Sequence, residues 1–203
     1  MRGLVRFIDQ NVHSGCATYS FTGKYMGPKA SESVEFERDA VPGRVSILIV
    51  CYNDPELVEV LHNDLRQQTY SDIETIWLLN GSNEKTKNFL HSYDERVVIP
   101  EKNRWYSEGN NLAASKSSGE YLFVLNPDTR LEPDTIEALV AMAETDNSAV
   151  FVPKILNEPN RNTIDSIGKS FSIAGWVGRI GADEVDKGQH DTPRVVPAFD
   201  GPA

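Results

Sequence analysis

The chain has 203 residues, of which 39% are hydrophobic and 25% are charged, the ordinary balance of a globular domain. Its 20 lysines and arginines against 30 aspartates and glutamates leave a net charge of −10. Because an acidic surface repels phosphate backbones, we expect no nucleic-acid partner. Unbroken apolar runs such as Ile47 to Cys51 are far too short to span a bilayer. We therefore expect a cytoplasmic protein and leave peripheral membrane contact open.

The chain divides into three stretches by pattern. Residues 1–44 carry scattered Gly, Ser, Lys and Glu without a period, which predicts an N-terminal extension with little structure of its own. Apolar runs and amphipathic stretches then alternate over residues 45–156, and this predicts one α/β domain. Residues 157–203 are polar and punctuated by glycine, so we expect an irregular region there.

Short β-branched and apolar runs predict the strands, which are Val45–Cys51, Ile73–Leu79, Arg96–Ile99, Tyr121–Leu125 and Ala149–Val152. Helical spacing predicts helices between them: Pro55–Gln68, a segment carrying Phe89 and Leu90, Tyr106–Ser118 with Gly119 as its stop, and a segment opened by Pro133. This alternating order predicts a mostly parallel sheet with right-handed crossovers and with helices on both faces.

Polar turns follow the first, second and fourth predicted strands, and they are Tyr52-Asn53-Asp54, Asn80-Gly81-Ser82 and Asn126-Pro127-Asp128. If these strands are neighbours, the turns share the carboxyl edge of the sheet, where open α/β sheets bind ligands. The Asp128 carboxylate is a hard oxygen ligand that suits Mg²⁺ or Mn²⁺ against a diphosphate. Each turn also has a purely structural interpretation, because Asn, Pro and Asp are common turn residues.

The segment Gly109-Asn110-Asn111 lies within or at the start of a predicted helix whose N-terminal side approaches the same edge. Its small side chains would let a ligand come close to the backbone. The cysteines and histidines have no metal-site spacing, and we expect all four histidines, His13, His62, His91 and His190, at surface or helix-face positions.

Four segments in this order, VSILIVCYN, NGS, GNNLAAS and GEYLFVLNPDTRLEPD, resemble the family-2 glycosyltransferases. The resemblance is strongest to the rhamnosyltransferase-like branch, in which Asn-Pro-Asp often stands in place of the Asp-x-Asp metal motif. It covers Val45 to about Leu156, and Asp200–Ala203 is similar to the segment that begins the acceptor half of such enzymes. The resemblance implies a glycosyltransferase A-type fold, in which a Rossmann-like nucleotide-binding half joins an acceptor half that would start in residues 157–203.

The resemblance also implies a donor site for a nucleoside-diphosphate sugar, UDP- or dTDP-linked, whose sugar passes to a hydroxyl of a glycan or lipid-linked acceptor. A divalent cation, Mg²⁺ or Mn²⁺, would bridge the two phosphates and is assigned to Asp128. The remaining donor-binding positions are Cys51, Tyr52 and Asn53 at the base and ribose, Gly109 and Asn110 near the nucleotide, and Asn126 near the ribose or diphosphate.

The sequence departs from the family pattern at two places. Leu79 stands where the family usually has a base-recognising Asp, so either Asn80 substitutes for it or nucleotide recognition is weakened. The general base of inverting members would lie beyond Ala203. Nearby carboxylates precede that region and are expected to be solvated loop residues: Asp183, Glu184, Asp186 and Asp191.

Three interpretations follow from these features. The chain is the donor-binding half of a glycosyltransferase that is incomplete as it stands, or a non-catalytic nucleotide-sugar-binding or interaction module. A flavodoxin-like binder of an unrelated ligand is the third, but no Gly-rich phosphate loop follows the first strand. Because a partial sheet leaves an open edge, we expect a homodimer, a complementing chain or poor solubility.

Overall fold

The computed structural model describes residues 40–52, 55–81, 84–146 and 150–199. Within these ranges the strands are β1 (Val41–Cys51), β2 (Ile73–Leu79), β3 (Arg96–Val98), β4 (Gly119–Leu125), β5 (Ile155–Leu156), β6 (Ile164–Ser166), β7 (Lys169–Phe171) and β8 (Val177–Arg179). The helices are α1 (Pro55–Arg66), α2 (Glu84–Ser92), α3 (Trp105–Ala114) and α4 (Thr135–Thr145). Several predicted features lie outside the described residues: Asn53, residues 1–39, Ala149 at the start of the predicted fifth strand, and Asp200–Ala203.

The main sheet has four parallel strands in the order β3-β2-β1-β4. Leu48 in the middle of β1 pairs with Ile76 of β2 and with Val124 of β4. The chain steps outward from β1 to β3 and then returns to place β4 on the other side of β1. The strand order therefore reverses between β1 and β4, and the predicted α/β fold with a mostly parallel sheet is confirmed.

Alternate residues of β1 serve two separate cores, as the twofold period of a strand requires. Ile47 and Ile49 belong to the larger core, which also contains Val58 and Leu61 of α1 and residues of α2 and α4. Leu48 faces the other side and packs with residues of α3, including Ala113 and Ala114. Helices thus cover both faces, and each fully buried aliphatic side chain contributes roughly 1.5–3 kcal/mol.

Gly119 is the first residue of β4, so the prediction that it terminates α3 is wrong. The helix ends at Ala114, where the hydroxyls of Ser115 and Ser117 donate to main-chain carbonyls one turn back. A Cβ at Gly119 would lie 2.5 Å from Ser46 Oγ and 2.7 Å from the carbonyl oxygen of Arg44. Glycine is required there because any side chain would clash with β1, the strand that pairs with β4.

The ends of two other elements differ from the predictions. β1 begins at Val41, inside the predicted extension. Its pairing with β4 is irregular between Val41 and Val45, where Gly43 has a φ of +77°. The Tyr70 hydroxyl donates to the Gly43 carbonyl over 2.5 Å, which holds this irregular stretch against the α1–β2 loop. In the described part of the predicted fifth strand, Phe151 forms only an isolated bridge, and the next strand is Ile155–Leu156.

Residues 157–199 are more regular than expected. β5 pairs with β6 and β7 pairs with β8, both antiparallel, and single bridges join Thr163 to Val185 and Lys169 to Ala198. The β7–β8 hairpin leaves its apolar side chains in solvent, with Ile173 fully exposed at the turn and Trp176 78% exposed. Among the described helices, none has the length and apolar character needed to cross a lipid bilayer.

His62 is buried on the inner face of α1 and is 1% exposed. Its Nε2 lies 3.0 Å from Glu95 Oε1, and the indole of Trp77 donates to the other oxygen of Glu95 over 3.1 Å. The helix-face position agrees with the expectation, and the ring packs against Phe89 of α2 and Tyr93 just after it, at 5.4 Å and 4.5 Å between ring centroids. The cluster ties α1 to the start of β3.

Glu74 joins the strands at the amino edge of the sheet. One of its oxygens accepts from Ser46 Oγ at 2.5 Å and from Gly119 N at 3.1 Å, and the main-chain N–H of Ser118 also donates to it. Arg96 of β3 contacts the other oxygen at 3.2 Å. Burial alone would raise the pKa of Glu74, but these donors and the Arg96 charge together hold the pKa below its ordinary value.

Replacing this carboxylate, as in Glu74→Gln, is expected to destabilise the fold by about 1–3 kcal/mol at neutral pH, because several charge-assisted hydrogen bonds are lost. A carboxyl with a lowered folded-state pKa stabilises the fold above its unfolded-state pKa, and this contribution disappears as the pH falls through the folded-state pKa. The deficit of the variant, measured by urea denaturation, should therefore shrink on acidification. A deficit that stays constant from neutral pH to well below the ordinary glutamate pKa would contradict this assignment.

Candidate functional site

The polar loops after β1, β2 and β4 lie at one edge of the sheet, as the sequence predicts. The N–H of Asn80 donates to the carbonyl of Cys51 over 2.8 Å, which joins the ends of β1 and β2. The ends of β1 and β4 are adjacent, because Ile49 pairs with Leu125. This carboxyl edge, where the strand order reverses, is the usual ligand position in an open α/β sheet. We call it the edge site.

The end of β1 supplies one wall of the edge site. Cys51 is 2% exposed and its side chain belongs to the larger core, so only its backbone reaches the edge. Tyr52, the next residue, is 56% exposed. The predicted role of Cys51 at a base or ribose stays a prediction, and only its main chain is placed to serve it, whereas the Tyr52 ring stands in solvent.

The loop after β4 presents the Asp128 carboxylate to solvent. The N–H of Thr129 donates to the carbonyl of Asn126 over 3.2 Å and closes a turn around Pro127 and Asp128. Thr129 itself is 1% exposed, so the chain turns inward directly after Asp128. Asp128 is therefore exposed, whereas the residue that follows it is buried.

An ion pair from α1 fixes the loop after β4. Arg130 donates to both carboxylate oxygens of Asp64, with Nε at 2.6 Å and a terminal nitrogen at 3.0 Å. The N–H of Leu131 donates to the same carboxylate over 3.1 Å. The Asp64 side chain is 8% exposed and that of Arg130 is 43% exposed, so the carboxylate is the buried partner. Bidentate geometry of this kind sets both the distance and the orientation of the loop.

The loop after α1 adds a second attachment. Gln68 Nε2 donates to the carbonyl of Glu132 at 2.8 Å, and its Oε1 accepts from the N–H of Ile136 at 3.2 Å. The N–H of Thr69 donates to the carbonyl of Pro133 at 2.9 Å. These bonds dock the segment between Asp128 and α4 along the end of α1, so the chain that follows Asp128 is held at two places.

Helix α3 lies over the other face of β1 and β2, very close to the sheet. A Cβ at Gly109 would lie 3.3 Å from Val50 and 3.4 Å from Leu78, so the glycine is what permits this approach. Gly109 is a buried residue on the side of α3 that faces the sheet. The structure thus gives Gly109 a packing role, and the prediction that it lies near a nucleotide stays a prediction.

The first turn of α3 faces the Asp128 loop. Burial raises the pKa of Tyr106 to about 12, the Asn110 side chain opposes this rise, and the Asp128 carboxylate adds to it. These effects place Tyr106, Asn110 and Asp128 within electrostatic reach of one another. Asn110 Nδ2 donates to the carbonyl of Tyr106 at 3.0 Å, while its Oδ1 is buried without a partner among the described residues.

Asn80 holds the start of α3 with both ends of its amide. Its Oδ1 accepts from the N–H of Arg104 at 2.6 Å, and its Nδ2 donates to the carbonyl of Trp105 at 3.0 Å. The residue is 6% exposed. These bonds give Asn80 a positioning role, and its predicted contact with a nucleobase stays a prediction.

Leu79, where the resemblance implies an acidic residue, is 4% exposed and belongs to the larger core. Its side chain packs with α-helical residues on that face and adds no polar group to the edge site. Recognition of a base at the end of β2 stays a prediction.

Asp128 has the features of a metal ligand that acts together with phosphate oxygens. Among the described residues it enters no ion pair, and no group of three His, Cys, Asp or Glu residues could hold a metal by itself. Mg²⁺ is commonly bound through one or two carboxylates plus substrate phosphates, so a single exposed carboxylate fits that chemistry. The donor set suits a diphosphate-bound cation rather than a metal held by protein alone.

The acidic residues near the end of the described chain are partly engaged in ion pairs. Lys154 Nζ lies 2.6 Å from Asp186 Oδ2 and 2.5 Å from Asp191 Oδ1, and the Asp186 side chain is 15% exposed. Glu184 Oε2 accepts from Gln189 at 3.2 Å. The expectation that these carboxylates are merely solvated loop residues is wrong for Asp186, because its bond to Lys154 lowers its pKa.

Residues 46–196 match the family described as Glycosyl transferase family 2. Since this match covers most of the chain, the protein belongs to the family-2 glycosyltransferases. Together with the parallel sheet, the match confirms the predicted glycosyltransferase A-type fold. The rhamnosyltransferase-like branch stays a prediction.

Two curated relatives share part of the chain. A cholesterol galactosyltransferase from Borreliella burgdorferi is 27% identical over 111 residues, which cover 53% of this chain and 31% of the relative. A poly-beta-1,6-N-acetyl-D-glucosamine synthase from Staphylococcus epidermidis is 25% identical over 164 residues, covering 72% of this chain and 40% of the relative. The chain thus spans well under half the length of each.

Among solved structures, S. aureus TarS 1–349 in complex with UDP is similar over 51% of this chain and 33% of that chain. Its TM-score is 0.48 and its sequence identity is 19%.

Sequence reasoning missed the residues that shape the edge site without belonging to a motif. Asp64 and Arg130 are 66 positions apart, and a charged pair at that separation has no sequence signal. Trp105 and Tyr106 lie a few positions before the GNN segment, and their place at the edge follows only from where α3 begins. A charged residue on the apolar side of α1 was the one available signal for Asp64.

Replacing Arg130 and replacing Asp64 should lower the free energy of unfolding by different amounts. Arg130→Met leaves a buried carboxylate with the Leu131 N–H as its remaining donor. We expect the free energy of unfolding to fall by about 2–4 kcal/mol. Asp64→Asn keeps an acceptor for that N–H and frees an arginine that solvent can reach, so we expect about 1–2 kcal/mol.

Urea denaturation measures both losses, and the double variant serves as the control. Its loss should be smaller than the sum of the single losses, because the two side chains act as one unit. Strictly additive losses would show that the pair does not hold the loop.

Proposed function

We propose that this chain is the donor-binding region of a glycosyltransferase. It binds a nucleoside-diphosphate sugar together with Mg²⁺ or Mn²⁺, and the sugar passes to a hydroxyl of a glycan or lipid-linked acceptor. The observation that carries the proposal is the exposed Asp128 carboxylate, which stands at the reversal of strand order on a loop held by the Asp64–Arg130 pair. The activities of the two relatives, galactosyl transfer and polysaccharide synthesis, support sugar transfer as the reaction class.

The binding roles are those that the family resemblance implies, and the exposed position of Asp128 supports them. Asp128 would hold the cation against the diphosphate, with Asn126 of the same turn beside the ribose or phosphates. When bound, a divalent cation supplies Lewis-acid stabilisation of the leaving diphosphate. The phenol of Tyr106 stays protonated at neutral pH, because its pKa is about 12, so it donates a hydrogen bond rather than accepting a proton.

The nucleotide end of the donor would lie at the end of β1. Tyr52 offers an exposed ring there, with the Cys51 main chain and Asn53 as further predicted contacts. Asn110 adds a buried Oδ1 on the α3 side that has no hydrogen-bond partner among the described residues, and this oxygen can accept from a ligand hydroxyl or N–H that reaches it. We propose UDP or dTDP as the nucleotide, and residues 45–156 as the part that binds it.

A non-catalytic nucleotide-sugar-binding or interaction module is the second candidate. Leu79 favours it, because a buried leucine replaces the polar group that the family pattern uses for the base. Release of UDP from UDP-sugars distinguishes the two: the enzyme should hydrolyse a suitable donor slowly in the presence of Mn²⁺, and Asp128→Asn should abolish this release. A panel of UDP- and dTDP-sugars without turnover, despite tight binding, would favour the module.

Metal-dependent nucleotide binding tests the role of Asp128 directly. In calorimetry, Mn²⁺ should strengthen the binding of UDP to the unmodified chain, and Asp128→Asn should reduce that affinity at least about tenfold, a loss typical even of groups that only support a metal ligand. Without Mn²⁺ the two proteins should bind UDP similarly.

Asp134→Asn is the matched control, because Asp134 is exposed on the same segment and its side chain does not cap α4. It makes the same change of charge and should leave UDP binding unaltered. Equal weakening by the two substitutions would indicate a general charge effect and remove the metal assignment from Asp128.

A further inference from the structure

Trp105, the first residue of α3, combines backbone strain with exposure. Its φ is +53°, in the left-handed region that disfavours every residue with a bulky side chain. Its side chain gains little from burial, because the residue is 77% exposed. An exposed aromatic residue alone needs no explanation. An exposed aromatic residue in a backbone conformation that suits glycine does need an explanation, because its packing does not compensate for the strain.

Three hydrogen bonds enforce this conformation. Asn103 Oδ1 accepts from the N–H of Trp105 at 2.7 Å, and Asn80 Nδ2 donates to its carbonyl at 3.0 Å. Asn80 Oδ1 also accepts from the N–H of Arg104 at 2.6 Å. The surroundings therefore over-determine the Trp105 backbone, which is the pattern found where strain is retained at functional sites.

The same bonds place Trp105 at the edge site. Asn80 directly follows β2, and its own N–H is bonded to the Cys51 carbonyl at the end of β1. One turn further along α3, Gly109 packs over Val50 and Leu78 near the ends of those strands. The Trp105 backbone thus stands above the ends of β1 and β2, on the α3 side of the edge.

Each of the other two tryptophans lacks at least one of these two features. Trp77 is fully buried and donates from its indole to Glu95. Trp176 is 78% exposed on the β7–β8 hairpin, but its backbone is not in the left-handed region. Trp105 alone among the described tryptophans combines exposure with a strained, hydrogen-bonded backbone.

We propose that the Trp105 indole stacks on the nucleobase of the bound donor and determines its affinity for the nucleotide. This inference rests on the proposed function. Stacking suits this site because Leu79 leaves the end of β2 without a carboxylate for the base. Since every base has a π-face, a stacking residue binds the base without reading its hydrogen-bonding edge.

The test uses Trp105→Gly in the full chain, with UDP and inorganic pyrophosphate as probes, both with Mn²⁺. Glycine relieves the strain, so the thermal midpoint of the free protein should rise by about 2–4 °C. UDP affinity should fall by about 5- to 100-fold, the loss expected when one base–aromatic stack is removed. Pyrophosphate affinity should not change, because that probe has no base.

Two further variants complete the design. Trp105→Phe should recover most of the UDP affinity, because it restores an aromatic face. Trp176→Gly removes an equally exposed indole from the hairpin and should leave UDP affinity unchanged. UDP should quench the tryptophan fluorescence of the unmodified chain, and this quenching should disappear in Trp105→Gly.

The outcomes separate the inference from the function on which it rests. If the unmodified chain binds neither UDP nor pyrophosphate with Mn²⁺, the proposed function fails. If it binds both and Trp105→Gly binds UDP equally well, the function stands and the stacking role is overturned. Equal losses for UDP and pyrophosphate would also overturn it, because they would reflect a general disturbance of the edge site.

Discussion

The ion pair between Asp64 and Arg130 is the constraint on which the edge site depends. Asp128 lies on a loop that could adopt many conformations, since Asn, Pro and Asp are compatible with several turn types. Two charge-assisted bonds from Arg130 and one N–H from Leu131 converge on a carboxylate that is fixed on α1. A surface ion pair contributes little, but this carboxylate is 8% exposed, so the loop must adopt the geometry that satisfies it.

The opposite wall of the edge site is fixed by amide groups and close packing. Gly109 lets α3 lie against Val50 and Leu78, and Asn80 binds the main chain where that helix begins. A helix that packs this closely has little freedom to slide, because a displacement opens a void or causes a clash. The loop after β4 and the start of α3 are therefore separately attached to the sheet. Side chains on both can remain exposed while their backbones stay in place, which is what a preorganised binding site requires.

The predictable parts of the fold were those with local periodicity. The predicted limits of β2, Ile73–Leu79, agree with the structure because its apolar run is bounded by polar residues on both sides. The carboxyl-edge position of Asp128 followed from chain order alone. Gly119 was misassigned because a glycine after a helix usually caps it, whereas here it relieves a clash with Ser46 and Arg44, far away in sequence. The Asp64–Arg130 pair and the left-handed Trp105 depend on tertiary contacts for which one sequence holds no local signal.

The two edges of the sheet show how the chain separates stability from recognition. At the amino edge, the Glu74 carboxylate accepts hydrogen bonds from Ser46, Ser118, Gly119 and Arg96, so both of its oxygens are engaged within the fold. At the carboxyl edge, the buried groups hold only backbone and loop positions, whereas Tyr52, Trp105 and Asp128 stay exposed. Side chains exposed at the carboxyl edge can therefore change without disturbing the bonds that hold the backbone beneath them. Leu79 shows the opposite arrangement, because its side chain at the end of β2 is buried in the larger core and a change there would disturb the packing.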